Sequence, residues 1–186
     1  AARVVEALIE RSPELDGGDV EEILLGNANG AGEENRNVAR MAALLAGLPT
    51  TVPGATVNRL CGSGMEAAVQ ATRTIQTGDA SLTVAGGVES MSRAPWVLPK
   101  PPKGFPAGNA TVHSTTLGWR LVNPRMPDRW TVSLGRATED LAEEHGIDRT
   151  DQDAFALASH TKAARAWEKG VFTDEIVQVP GHEMER

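Results

Sequence analysis

Val4, Val5, Leu8 and Ile9 fall on one stripe of a helix. This pattern starts with no capping residue or preceding strand, as expected of a chain truncated at its beginning. Pro13 to Gly18 interrupts it, and Glu22 to Ala28 reads as a short apolar strand. After the polar loop NGAGEENRN, Val38 to Ala46 is helical and stops at Gly47 and Pro49. Gly54 to Val57 is a second strand that runs straight into NRLCGSG. Met65 to Thr77 is a helix with small or apolar residues on most sides and Gly78 at its end. Such a helix is expected to be buried between two layers. Ser81 to Ala85 is a third strand, closed by Gly86 and Gly87. Strands alternating with helices predict an α/β fold with a mainly parallel sheet.

The pattern changes after Ser92. Most of the prolines and three of the four tryptophans lie between Pro95 and Trp130, with little periodicity. A long extended excursion is expected there, of the kind that is functional or partner-facing. Ser133 to Glu144 then predicts a helix ended by His145 and Gly146. Thr150 with Asp153 suggests a capping box opening a helix to Lys169, with Gly170 as its stop. Glu175 to Val179 predicts a closing strand, and the tail GHEMER ends without a natural finish, as in a chain truncated at this end too.

Composition narrows the classes. The chain is 40% hydrophobic and 23% charged, ordinary for a globular protein. Its net charge of −7 argues against nucleic acid, which needs a basic surface. The longest apolar stretch, from Met41, is too short to span a bilayer, and the first residues lack the apolar core of a signal peptide. One cysteine rules out an intramolecular disulfide and suits a reducing compartment. A soluble, cytoplasmic protein is expected.

That cysteine is the candidate centre. Cys61 lies between a strand end and a helix start, flanked by Gly62 and Gly64. The free N–H groups and partial positive charge at a helix start favour a thiolate. Glycines on both sides allow a substrate to approach the backbone, and the Cys61 amide is a candidate oxyanion donor. An inert buried thiol is the competing reading. Ser63 is the rival nucleophile, but the hydrolase elbow G-x-S-x-G requires glycine where Cys61 stands. His113, His145, His160 and His182 are read as structural or solvent-facing. Asn35, Arg36, Asn37 and Arg40 are either contacts across a subunit interface or a solvated loop entering a helix.

VNRLCGSGMEA (Val57 to Ala67) followed by AGGVESMSRAP (Ala85 to Pro95) closely resembles the thiolase family. DQDAFALASHTKAARAW (Asp151 to Trp167) and FTDEIVQV (Phe172 to Val179) resemble parts of its loop domain. The resemblance implies a thiolase-like fold, with residues 1–95 forming the N-terminal catalytic subdomain without its first strand. Residues 96–186 would be part of the loop domain. It implies a homodimer or homotetramer that moves acyl groups between coenzyme A thioesters, with no permanently bound cofactor and no metal. Cys61 takes the role of acyl acceptor. Ser133, Leu134 and Gly135 match the segment that packs near the pantetheine arm of coenzyme A, with a buried helix-start leucine as the alternative for Leu134. The family's second cysteine, its histidines and its asparagine-bound water belong to its C-terminal half. They are assigned to no residue here, and these 186 residues alone are not expected to turn over substrate.

GEENRNVARMAALLAGLP (Gly32 to Pro49) and TTLGWRLVNP (Thr115 to Pro124) resemble the branch acting on 3-oxoadipyl-CoA in aromatic degradation. TVSLGRATED departs from that branch at Ser133-Leu134-Gly135 and at Ala137-Thr138. Two rivals remain: a non-catalytic acyl-CoA-binding fragment or pseudoenzyme, and a cysteine-dependent thioester hydrolase.

Overall fold

Strand β1 (Glu22–Gly26) is buried from Ile23 onward, and its side chains divide the interior in two. The computed structural model describes residues 1–179 and 181. In it β1 is the central strand of a parallel three-stranded sheet, between β2 (Gly54–Val57) and β3 (Thr83–Gly87). Successive residues of a strand face opposite sides. Ile23 and Leu25 therefore pack with Val5, Ala39, Ala42 and Val52, on the side of helices α1 (Ala2–Glu10) and α2 (Val38–Leu45). Leu24 packs on the other side with Ala67 and Ala71 of α3 (Ser63–Thr77). The helices thus cover both faces, and the α/β fold expected from the sequence is present.

Two glycines let helices sit directly on strands. A Cβ on Gly26 would lie 2.3–2.5 Å from the backbone of Ser63 and Gly64 at the start of α3. A Cβ on Gly54 would lie 2.7–3.0 Å from the backbone of Ala39 and Arg40 in α2. Asn37 caps α2 by accepting from Arg40 N at 3.2 Å and also donates to Gly54 O at 2.9 Å. Arg40 donates to the carbonyls of Val52 and Thr50, binding α2 to the approach to β2.

The chain divides into two compact units, Ala1–Thr116 and Leu117–Arg186. The boundary expected after Pro95 falls inside the first unit. There β4 (Trp96–Val97) pairs antiparallel with β5 (His113–Ser114). Thr115 ties this ribbon down, donating to Pro95 O at 2.6 Å and accepting from Asn29 Nδ2 at 3.1 Å. The expected excursion accordingly holds a short ribbon, and a 3-10 turn at Asp128–Trp130 as well.

The second unit contains α4 (Leu134–His145), capped by Ser133, and α5 (Arg149–Glu168). The cap of α5 is Asp148, which accepts from Asp151 N at 2.9 Å. The Thr150–Asp153 box expected from the sequence is not the cap, because the helix has already begun at Arg149 and Asp153 pairs with that arginine at 2.8 Å. No strand forms over Glu175–Val179. The backbone turns through Glu175, is irregular over residues 176–178, and makes only a single bridge at Val179. His182 and most of the GHEMER tail lie outside the described residues.

One expectation of burial is also corrected. In α3 only Ser63, Ala67 and Ala71 are buried, while Met65 is 76% exposed, because among the described residues only the sheet side is covered. In α1, Val5 is covered by the core but Val4 and Leu8 are not. None of the helices among the described residues is long and apolar enough to cross a membrane.

The seat on Gly26 generates a direct test. Gly26→Ala should destabilise the protein by more than about 2 kcal/mol in urea unfolding, because backbone cannot yield to the added methyl. Gly64→Ala, whose Cβ meets nothing nearer than 3.9 Å, should stay within about 0.5 kcal/mol. Equal midpoints for the two variants would refute the close-contact account.

Candidate active site

The parallel register aligns Gly26, Val57 and Gly87 at the carboxyl ends of the three strands. In open α/β sheets this is the edge beyond which ligands bind. The residues that follow the three ends are Asn27, Asn58, and Val88 with Glu89. Cys61 is reached from β2 through Asn58, Arg59 and Leu60 and is exposed. In this structure the thiol is exposed, not buried.

Hydrogen bonds hold the turn carrying Cys61. Gly62 N donates to Arg59 O at 3.0 Å, and Ser63 N to Leu60 O at 3.1 Å. Ser63 Oγ donates to Leu60 O at 2.6 Å and accepts from Arg59 N at 2.9 Å. Ser63 is 5% exposed, so its hydroxyl fastens the turn and the helix start and is not presented to a substrate. Leu60 has φ of +49°, a left-handed conformation that non-glycine residues adopt at a cost of about 1–3 kcal/mol. Asn58 Oδ1 accepts from Leu60 N at 3.0 Å and so supports that conformation.

The electrostatics come from the start of α3. Its N-cap is Gly62, and no side chain caps the first turn. The partial positive charge of the helix end adjoins Cys61 and shares its first turn with the Glu66 carboxylate. Glu66, in the first turn, is held below the ordinary carboxylate value of 4.5, chiefly by a hydrogen bond from Gln70 and then by the charges of Arg59 and Arg73, against desolvation. Arg59 reaches it at 2.5 Å.

A polar platform lies beside the turn. Glu89 Oε2 accepts from Ala28 N at 2.9 Å, while its Oε1 accepts from Asn29 N at 2.9 Å and Asn27 Nδ2 at 3.2 Å. Asn27 Nδ2 also donates to Val88 O at 2.7 Å. Asn58 Nδ2 joins the platform to the turn by donating to Ala28 O at 3.0 Å. Glu34 is 5% exposed and accepts from Ser90 N at 3.1 Å. Asn27 Oδ1 and Glu34 Oε2 are buried with no donor among the described residues. Sequence reasoning missed Asn27, Asn58 and Glu89. Their shared position, at or just past the end of a parallel strand, was the available signal.

The other candidates lie elsewhere. Ser133, Leu134 and Gly135 belong to the second unit, where Ser133 Oγ accepts from Arg136 N at 3.2 Å and Leu134 is 75% exposed. His113 sits in β5, His145 ends α4, and His160 is exposed on α5. Asn37 and Arg40 bond within the chain, whereas Asn35 and Arg36 carry φ of +50° and +65° on the exposed loop. No group of three or more His, Cys, Asp or Glu that could hold a metal occurs among the described residues.

An exposed thiol beside an uncapped helix start should react faster than a free one. Iodoacetamide at pH 7 is expected to alkylate Cys61 about two- to fivefold faster than a cysteine in an unstructured peptide. A rate equal to the peptide's, measured by mass spectrometry, would show that the helix start does not act on the sulfur.

The family model for the thiolase N-terminal domain matches residues 1–185. The beta-ketoadipyl-CoA thiolase of Pseudomonas knackmussii is 51% identical over 180 residues, covering 96% of this chain and 45% of that protein. The 3-oxoadipyl-CoA/3-oxo-5,6-dehydrosuberyl-CoA thiolase of Escherichia coli is 50% identical over 180 residues, with the same coverage. In structure, the acetyl-CoA acetyltransferase of Bacillus anthracis superposes with a TM-score of 0.83 at 34% identity, covering 100% of this chain and 45% of that one. The chain thus spans about half the length of the relatives it matches. The exposed cysteine at the strand-to-helix turn, the parallel sheet beneath it and these matches together lead to one conclusion: the chain belongs to the thiolase family, corresponding to its N-terminal domain.

Proposed function

We propose that the full-length protein carrying this chain exchanges acyl groups between coenzyme A thioesters, with Cys61 as the acyl acceptor. The observation that carries this reading is the exposed Cys61 thiol at the uncapped start of α3. In the degradative direction the thiolate adds to the 3-oxo carbon of a 3-oxoacyl-CoA. The bond between C2 and C3 breaks, the acetyl-CoA carbanion takes up a proton, and the acyl group stays on sulfur as a thioester. The thiol of free coenzyme A then attacks that thioester, releases acyl-CoA and restores the Cys61 thiol. Coenzyme A thioesters are thus substrates and no bound cofactor is needed. Ser133, Leu134 and Gly135 are proposed to pack near the pantetheine arm.

The preferred substrate is proposed to be a 3-oxoacyl-CoA of the 3-oxoadipyl type, drawn from aromatic degradation. Relatives named beta-ketoadipyl-CoA thiolase are 49–51% identical to this chain, whereas the acetyl-CoA acetyltransferase of Chromobacterium violaceum is 42% identical. The protein is proposed to be cytoplasmic and a homodimer or homotetramer.

In the full-length protein, Cys61→Ser should lower thiolysis on the order of 10³-fold or more while leaving the circular dichroism spectrum unchanged. The assay follows loss of 3-oxoacyl-CoA absorbance with and without free coenzyme A. Near-normal turnover in the variant, or loss of substrate that does not require coenzyme A, would overturn the acyltransferase reading. For assembly, light scattering at micromolar concentration should give the mass of a dimer or tetramer, and a monomer mass would refute the proposed state.

A further inference from the structure

The turn that presents Cys61 is not held by its own residues alone. Leu60, immediately before the cysteine, sits in the left-handed region at φ +49° with its side chain exposed. A non-glycine residue stays there only when its surroundings fix it. Its amide donates to Asn58 Oδ1 at 3.0 Å. The other end of the same side chain, Asn58 Nδ2, donates to Ala28 O at 3.0 Å. Ala28 is in turn fixed through its amide, which donates to Glu89 Oε2 at 2.9 Å. Glu89 Oε1 takes the next amide, Asn29 N, at 2.9 Å. The carboxylate after β3 thus grips the loop after β1, and that loop grips the residue after β2.

We propose that Glu89 and Asn58 are positioning residues that act in series, through the carbonyl of Ala28, to hold the Leu60–Cys61 turn in register with the start of α3. The idea rests on the reading of Cys61 as the acyl acceptor only for its importance to catalysis. The geometry stands on hydrogen bonds joining three strand ends. Neither residue touches the sulfur, and neither donates or accepts a proton in the reaction. Asn58 suits the relay because its amide accepts at one end and donates at the other. Aspartate at this position would keep the acceptor for Leu60 N but lose the donor to Ala28 O. Alanine would lose both.

The test measures the rate of Cys61 alkylation by iodoacetamide in the full-length protein, mapped to the peptide carrying Cys61, with thermal unfolding recorded in parallel. Glu89→Gln and Asn58→Ala should each lower the rate about two- to fivefold, towards that of a free peptide thiol. The double variant should be no slower than the slower single variant, because serial elements do not add. Asn58→Asp keeps the acceptor for Leu60 N but cuts the link to Ala28 O, so it should lower the rate by at least half as much as Asn58→Ala does, whatever its effect on unfolding temperature. Losses that multiply in the double variant, an unchanged rate in Glu89→Gln, or a wild-type rate in Asn58→Asp would overturn the relay. If Glu89→Gln fails to fold, the Asn58→Ala and Asn58→Asp pair, at an exposed position, still decides it. Alkylation needs no acyl-CoA, so a negative result here is distinct from retained thiolysis in Cys61→Ser.

Discussion

The backbone contact between Gly26 and the first turn of α3 sets the position of everything around Cys61. The space for a Cβ on Gly26 is filled by the main chain of Ser63 and Gly64, so α3 begins directly on the central strand rather than above a layer of side chains. Ala67 and Ala71 continue the contact over Leu24 with equally little bulk. A helix held this close to the sheet brings its open N-terminal end to the carboxyl edge of the strands, and the turn entering it places the thiol there. Larger residues along this seam would raise α3 and move its partial charge away from the edge.

The same central strand serves two cores. Ile23 and Leu25 face α1 and α2, and Leu24 faces α3. The first core is the larger; in the second, Leu24 packs against Ala67 and Ala71, with Ala55 and Val57 beside them. Stability and presentation of the site are therefore assigned to opposite faces of one strand. Polar bonds at the strand ends link them, since Asn27 follows directly from β1 and Glu89 lies two residues past the end of β3.

Much of this was legible in the sequence, for physical reasons. Apolar periodicity located β1, α2, β2 and α3 to within a few residues, because local side-chain spacing determines which face can be buried. Cys61 was legible because glycines bracket it between a strand and a helix. The Glu89–Ala28–Asn58 connections were not, since they join residues 61 and 30 positions apart and arise only from the parallel pairing of strand ends. The expected strand at Glu175–Val179 had β-branched residues at Ile176, Val177 and Val179, but a strand forms only beside a partner, which no pattern within five residues supplies. The expected capping box at Thr150 had the right letters, yet Asp148, two residues earlier, captured the helix start. Burial of α3 was overestimated because small apolar residues signal close approach on one side as readily as cover on both.

The ribbon of β4 and β5 has a consequence of its own. Its two strands pair Trp96 with Ser114 and Val97 with His113, and Thr115 fastens the base to Pro95 and Asn29. The intervening residues 98–112 leave and return through one fixed gate, and Phe105 at φ +51° is fully exposed among them. Closing such a loop depends only logarithmically on its length, so doubling it costs about 0.6 kcal/mol. The span between β4 and β5 is therefore where this fold can accept inserted sequence, such as a tag or a reporter peptide, without straining the sheet that carries Cys61.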